Sequence, residues 1–277
     1  MKIKEKASHV GQRIIKILSR TEMLILPGQL AFFLLLAIVP TVTLIAYVAT
    51  FFHVSTDFLA NFMNKAFGAS VVSLVVPMLQ DINFSFRFFL LIFFAFYASS
   101  GGTSSIIVTS NHLYHFQNTS FLKRKIKSIL MILILISLVV FLLLIPVLGN
   151  RFIAMLEYVN VSEGIVSSVQ FVLNLMRSPL AWFLIFFLIK IIYTMAPDEN
   201  IPSSCTTKGS IFTTFGILGV TFVYSLYVTY VAHYDVLYGG LAHFVILMIW
   251  LYLLSYIVVI GIAFNVEEYE NREKLEE

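Results

Sequence analysis

His233, Asp235 and His243 are the residues of this chain whose types could hold a metal ion, because a turn between two apolar runs would draw them together. A metal site needs three or four side chains converging with held geometry. An aromatic rim, with Asp235 as a turn residue or an acid pairing with Arg87 or Arg177, explains the same letters, so no metal is assigned. Nucleophilic catalysis finds no better footing. The serines of residues 96–111 have no evident base beside them, and His112 and His115 sit near basic residues without a carboxylate. Cutting a polyanion such as RNA would require acids with a metal or a base in a watery site, and the acids here lie mostly in loops and tail. Gly101 and Gly102 lie inside an apolar run and not between a strand and a helix, which argues against a phosphate-cradling loop. No catalytic residue, cofactor or nucleic-acid partner is expected.

The remaining chemistry is uncharged. Residues 96–111 read FYASSGGTSSIIVTSN and continue an apolar run, so small and hydroxyl side chains enter a hydrophobic phase. Between helices in lipid, small residues let backbones approach and hydroxyls bond across the contact. Ala98 and Gly102, Ser100 and Ser104, and Gly101 and Ser105 are each four apart, hence on common helix faces. A tight crossing through Gly101, Gly102 and Ser104 is one reading, and a polar path through the bundle is the other. On the second, Gln29, Ser99, Ser100, Thr103, Asn111, Tyr224 and Tyr227 are candidate contacts for the polar head of an amphiphile in one shared cavity.

Composition dictates the elements that position them. The chain is 59% hydrophobic and 12% charged, against about 25% charged in soluble domains, and its mean hydropathy is +0.92. Long unbroken apolar runs favour membrane helices over an outer-membrane barrel. We therefore expect an all-α membrane protein, a single integral membrane domain over residues 1–277, with six transmembrane helices at 28–52, 86–114, 128–148, 179–195, 209–233 and 241–264. Pro40 should kink the first, since its ring removes a donor and clashes with the preceding turn. Residues 1–22 read as a basic amphipathic helix on the membrane face, retained and not cleaved as a signal peptide. Residues 58–79 and 162–175 carry apolar stripes and are expected as outer amphipathic helices, a parallel that hints at duplication without matching residues. Lys123, Arg124, Lys125 and Lys127 form a basic loop, which places it and both termini on the cytoplasmic side and attracts anionic lipid head groups. Residues 267–277 form an acidic tail. Cys205 stands alone, so no intramolecular disulfide forms.

Several features together give a resemblance. Residues 30–40 (LAFFLLLAIVP), Ala98-Ser99, Asn111-His-Leu-Tyr114 before the basic stretch, and Tyr193, Pro197 and Gly209 occur in order. They are followed by Tyr234-Asp-Val-Leu-Tyr-Gly-Gly-Leu, Trp250-Leu-Tyr252 and Gly261-Ile-Ala-Phe-Asn265. In these, over nearly its whole length, the chain resembles the YihY/virulence factor BrkB family of bacterial inner-membrane proteins, formerly misassigned as a ribonuclease. The resemblance implies six transmembrane helices, a bacterial cytoplasmic-membrane location and a link to transport or envelope integrity. One departure is Ala263, where family members often carry a glutamate, so no intramembrane acid is carried over. The expected function is a carrier of an amphiphile or organic solute, against a non-transporting envelope scaffold and a membrane-embedded enzyme.

Overall fold

In the computed structural model, residues 22–51, 57, 60–61, 86–159, 162–230 and 240–276 are described. They form six helices: α1 (Glu22–Phe51), α2 (Phe86–Leu113), α3 (Phe121–Tyr158), α4 (Glu163–Met195), α5 (Thr207–Tyr230) and α6 (Gly240–Glu276). No strand occurs among the described residues. Crossing the hydrocarbon core takes about 20 apolar residues, and each of the six has a stretch long and apolar enough to do so. Their large apolar side chains are widely exposed, as with Phe32, Phe93, Phe183 and Phe222, which suits a surface solvated by acyl chains.

Several boundaries differ from the sequence reading. Residues 162–175 and 179–195 are one helix, with Pro179 inside it. Of the apolar residues in the expected amphipathic stripe, Ile165, Val172 and Met176 are exposed and Val169 is half-buried. A proline costs one backbone hydrogen bond, and membrane helices tolerate that loss. The basic stretch is not a loop: α3 starts at Phe121, so residues 123–127 form its first turns, and it runs past Leu148 to Tyr158. The acidic tail is likewise helical, because α6 continues without a break to Glu276. The amphipathic segment 1–22 falls outside the described residues apart from its last, and the stripe 58–79 apart from residues 60 and 61.

The packed chain divides into two compact units, where the sequence was read as one domain. One comprises Met1–Ile38, Ser99–Ile129 and Ile189–Glu277; the other comprises Val39–Ala98 and Leu130–Leu188. The division in α1 falls between Ile38 and Val39, beside the half-buried Pro40. The second unit has an aliphatic centre, Leu44, Ile132, Ile136 and Val140, enclosed by residues including Ile92, Ala95 and Phe96. Among its described residues the buried polar side chain is Thr43, whose hydroxyl donates to the Val39 carbonyl at 2.9 Å within its own helix. Among the described residues, all the other buried polar side chains belong to the first unit.

Candidate functional site

The first unit is held by two polar knots. At the end of α2, His115 takes a left-handed φ of 59°. Its N–H donates to the His112 carbonyl at 3.2 Å, and that of Phe116 to the Asn111 carbonyl at 2.9 Å. These are the paired bonds of a Schellman stop, usually made with glycine. The stop leaves the Asn111 side chain facing the α4–α5 connection. Asn111 Nδ2 donates to Asp198 Oδ2 at 2.7 Å, and the Asp198 N–H donates back to Asn111 Oδ1 at 2.8 Å. The Thr119 N–H reaches the same Oδ2 at 3.0 Å. On the other oxygen, Lys127 Nζ makes a 2.9 Å ion pair with a carboxylate only 4% exposed. Burial pushes the Asp198 pKa up, but the Thr119, Lys127 and Asn111 hydrogen bonds outweigh it and hold the carboxyl below its ordinary value.

Lys127 also donates to the carbonyls of Ala196 at 3.0 Å and Pro197 at 2.6 Å, where α4 has just ended. An ammonium has three N–H groups, and all three are used. The structure thus corrects the assignment of Lys127 to anionic lipid: it is committed inside the protein. Lys123 is exposed, Arg124 lies 6.0 Å from the Phe121 ring centre, and Lys125 is half-buried.

The second knot is where α4, α5 and α6 meet. A Cβ on Gly209 would collide with the Gly261 carbonyl and the Asn265 side chain. A Cβ on Gly261 would collide with Thr213 Oγ1 and lie 2.5 Å from the Tyr193 hydroxyl. One on Gly216 would lie 2.5 Å from Ile257 Cγ2. The space left by the missing side chains admits hydrogen bonds. The Gly209 N–H donates to Asn265 Oδ1 at 2.9 Å. The Tyr193 hydroxyl donates to the Val258 carbonyl at 2.9 Å and shares a 2.7 Å bond with Thr213 Oγ1.

Around these knots the expected cavity residues occupy separate places. Ser99, Ser100, Thr103 and Asn111 are buried, and Gln29 is exposed on α1. The Thr103 hydroxyl bonds the Ser128 carbonyl at 2.9 Å, a contact of α2 with α3. Tyr224 stacks on Trp250, with ring centres 5.1 Å apart, and Tyr227 is exposed nearby in the same groove. One shared cavity is therefore not formed by the seven; Tyr224 and Tyr227 are brought together, and the others are not. Of the expected packing residues, Gly102 makes the tightest approach. A Cβ there would lie 3.2 Å from Leu34 Cδ2 and 3.4 Å from Ala37 Cβ, whereas at Gly101 the nearest atom is Phe33 Cδ1 at 3.8 Å. Ser104 is half-buried.

Three hydroxyls of α2 stand out. Ser128, Ser210, Thr214 and Ser255 each donate to the carbonyl four residues back, the common local solution in helices. Ser99, Ser105 and Thr109 are buried and have no hydrogen-bond partner. Ser105 and Thr109 follow Gly102 at three and seven residues, on the face that meets α1.

The α5–α6 groove has a volume of about 480 Å³ and a lining of mostly carbon from Gly219, Val223, Tyr224, Tyr227, Trp250 and Leu253 among others. Trp250 Nε1 is buried without a partner. His233 and Asp235 lie outside the described residues, as does the His243 side chain. Among the described residues no three His, Cys, Asp or Glu side chains gather as a metal would require.

Sequence reading gave no role to Asp198 and missed the crossing of α5 on α6. The seven-residue spacing of Gly209 and Gly216 was the available signal, since two turns of helix bring them to one face.

Six apolar helices enclosing such polar knots define a multi-pass membrane protein. The model of the family described as Virulence factor BrkB matches residues 14–277, and the chain belongs to that family. It is 26% identical over 244 residues to a Bacillus subtilis (strain 168) protein named as ribonuclease-like, YfkH, covering 86% of this chain and 87% of that one. No solved structure matches it.

Proposed function

We propose that this BrkB-family protein is a carrier of an amphiphile or organic solute in the bacterial cytoplasmic membrane, both termini cytoplasmic, and not an enzyme. The observation that carries the reading is the half-open α5–α6 groove. Its volume of about 480 Å³ falls within the roughly 300–1,000 Å³ of small-molecule sites, and its carbon lining suits a hydrocarbon moiety. The unpaired hydroxyls of Ser99, Ser105 and Thr109 add support. Each buried unpaired group costs about 1–3 kcal/mol, a cost that a head group, or a helix movement that brings a partner, would relieve. Exposed Lys123, beside exposed Phe121, Leu122 and Ile126, is placed to draw anionic head groups to the membrane surface. The ribonuclease word in the relative's name is not brought to this chain. Asp198, the buried acid at the first knot, is consumed by three internal hydrogen bonds.

The test is transbilayer movement of a fluorescent anionic lipid in vesicles holding the purified protein. Movement above that of empty vesicles, lost in Val223→Trp with its blocked groove, is the expected result. Movement equal to empty vesicles removes the carrier reading in favour of a non-transporting scaffold. The Gly209–Gly261 contact, which locks α5 to α6, is the observation that favours that second reading.

A further inference from the structure

Glycine in a helix costs about 0.5–1 kcal/mol relative to alanine, and membrane helices use it where another helix comes close. Gly102, Gly209, Gly216 and Gly261 all have such a neighbour. Gly219, like Gly164, has none: a Cβ there would meet nothing within 4 Å. Gly28 is nearly as free, its nearest atom being Tyr252 Cε2 at 4.0 Å. Gly219 and Gly28 both line grooves. Gly219 belongs to the α5–α6 groove, and Gly28 to a second groove of about 490 Å³ between α1 and α6, walled by Ala31, Leu35, Met248 and Tyr252 among others. The two grooves are nearly equal in volume, at about 480 and 490 Å³, and both are lined almost wholly by carbon. They run along the same stretch of α6, and Ile249 belongs to the wall of each.

We infer that residues 245–253 of α6 form a ridge straddled by one two-chain lipid, with an acyl chain in each flanking groove and Ile249 between them. In a bilayer such grooves cannot stand empty, because unfilled walls forfeit dispersion contacts and the surrounding medium is acyl chain. The shared wall at Ile249, along one stretch of α6, favours two chains joined at one end over two unrelated occupants. Tyr224, Tyr227 and Trp250 on one side and Tyr252 on the other supply rings of the kind found at the lipid ester and head-group level. The inference rests on the carrier reading's choice of the α5–α6 groove as an amphiphile site and adds the lipid class and the second groove.

The experiment is native mass spectrometry of the intact protein released from detergent with a diacyl phospholipid or its single-chain lyso form. Gly219→Phe fills one groove and Gly28→Phe the other. Either change alone is expected to lower retention of the diacyl lipid by about tenfold, whereas the lyso lipid is retained by each single variant and lost from the double. Loss of the diacyl lipid from only one variant, or from neither, overturns the inference, as does a lipid-free dimer covering the grooves. Unaltered protein provides a check independent of variant folding: a diacyl lipid with a photoreactive group on each chain should label both Val223 and Leu35, and labelling at one site alone overturns it. Binding is read without transport, so a protein that holds the lipid and moves none leaves the inference standing while removing the carrier reading.

Discussion

Leu44, Ile132, Ile136 and Val140 fill the centre of one unit, whereas Tyr193, Thr213, Asn265, Asn111 and Asp198 are buried or bonded within the other. Lipid tails are as apolar as leucine, so an aliphatic centre between membrane helices gains packing but little specificity. Hydrogen bonds and missing side chains act differently. Asp198 bonds Asn111 at one registry, and Gly209 can lie against Gly261 only where neither carries a Cβ. The polar unit should therefore resist small changes poorly, and the aliphatic unit should absorb them.

Gly261→Leu is the strongest test of that difference. Its side chain would have to displace Thr213 and Tyr193, and a loss above about 4 kcal/mol, seen as failure to recover folded protein in detergent, is expected. A well-folded variant would show that the α5–α6 crossing can slide. Next comes Asp198→Ala. Removing one partner of a buried pair costs about 3–5 kcal/mol, so a markedly lower melting temperature is expected. Because the folded carboxyl titrates below its ordinary value, its contribution is complete above the unfolded pKa of about 4 and fades as pH falls further. The wild-type melting temperature should fall in that acid range more steeply than that of the variant. Parallel acid curves would mean that the clasp contributes nothing.

Gly102→Leu should cost about 1–3 kcal/mol by overpacking against Leu34 and Ala37. An unchanged melting curve would place this glycine outside the tight packing of the polar unit. The smallest effect belongs to the aliphatic unit: Ile136→Leu keeps volume and should cost less than about 1.5 kcal/mol. If it destabilised as much as Gly102→Leu, the contrast between the two units would collapse.

Much of the fold was legible because apolar run length is a local property. The second span was read as 86–114 and is Phe86–Leu113. Where polar or proline punctuation was taken as an end, the reading fell short. Pro179 and the charged residues after Phe264 lie within continuous helices, since i to i−4 bonding outlasts a change of side-chain polarity. For the site, the chain's letters distinguished a buried hydroxyl-rich α2, and Ser99, Ser100, Thr103 and Asn111 are buried as that requires. They did not say what each would meet.

By itself, the sequence determined six apolar helices and a lone cysteine, and it offered a close approach at Gly102 as one of two readings, all consequences of composition and spacing within one segment. Tertiary structure alone decided that Asn111 meets Asp198, 87 residues away, and that Lys127 turns inward to the end of α4. It also set Gly209 against Gly261 and opened a groove on either side of α6. The physical reason is that a helix's apolar surface can pack at many rotations with similar energy in lipid. The choice among them rests on the few hydrogen bonds and vacant Cβ positions that coincide between segments distant in the chain.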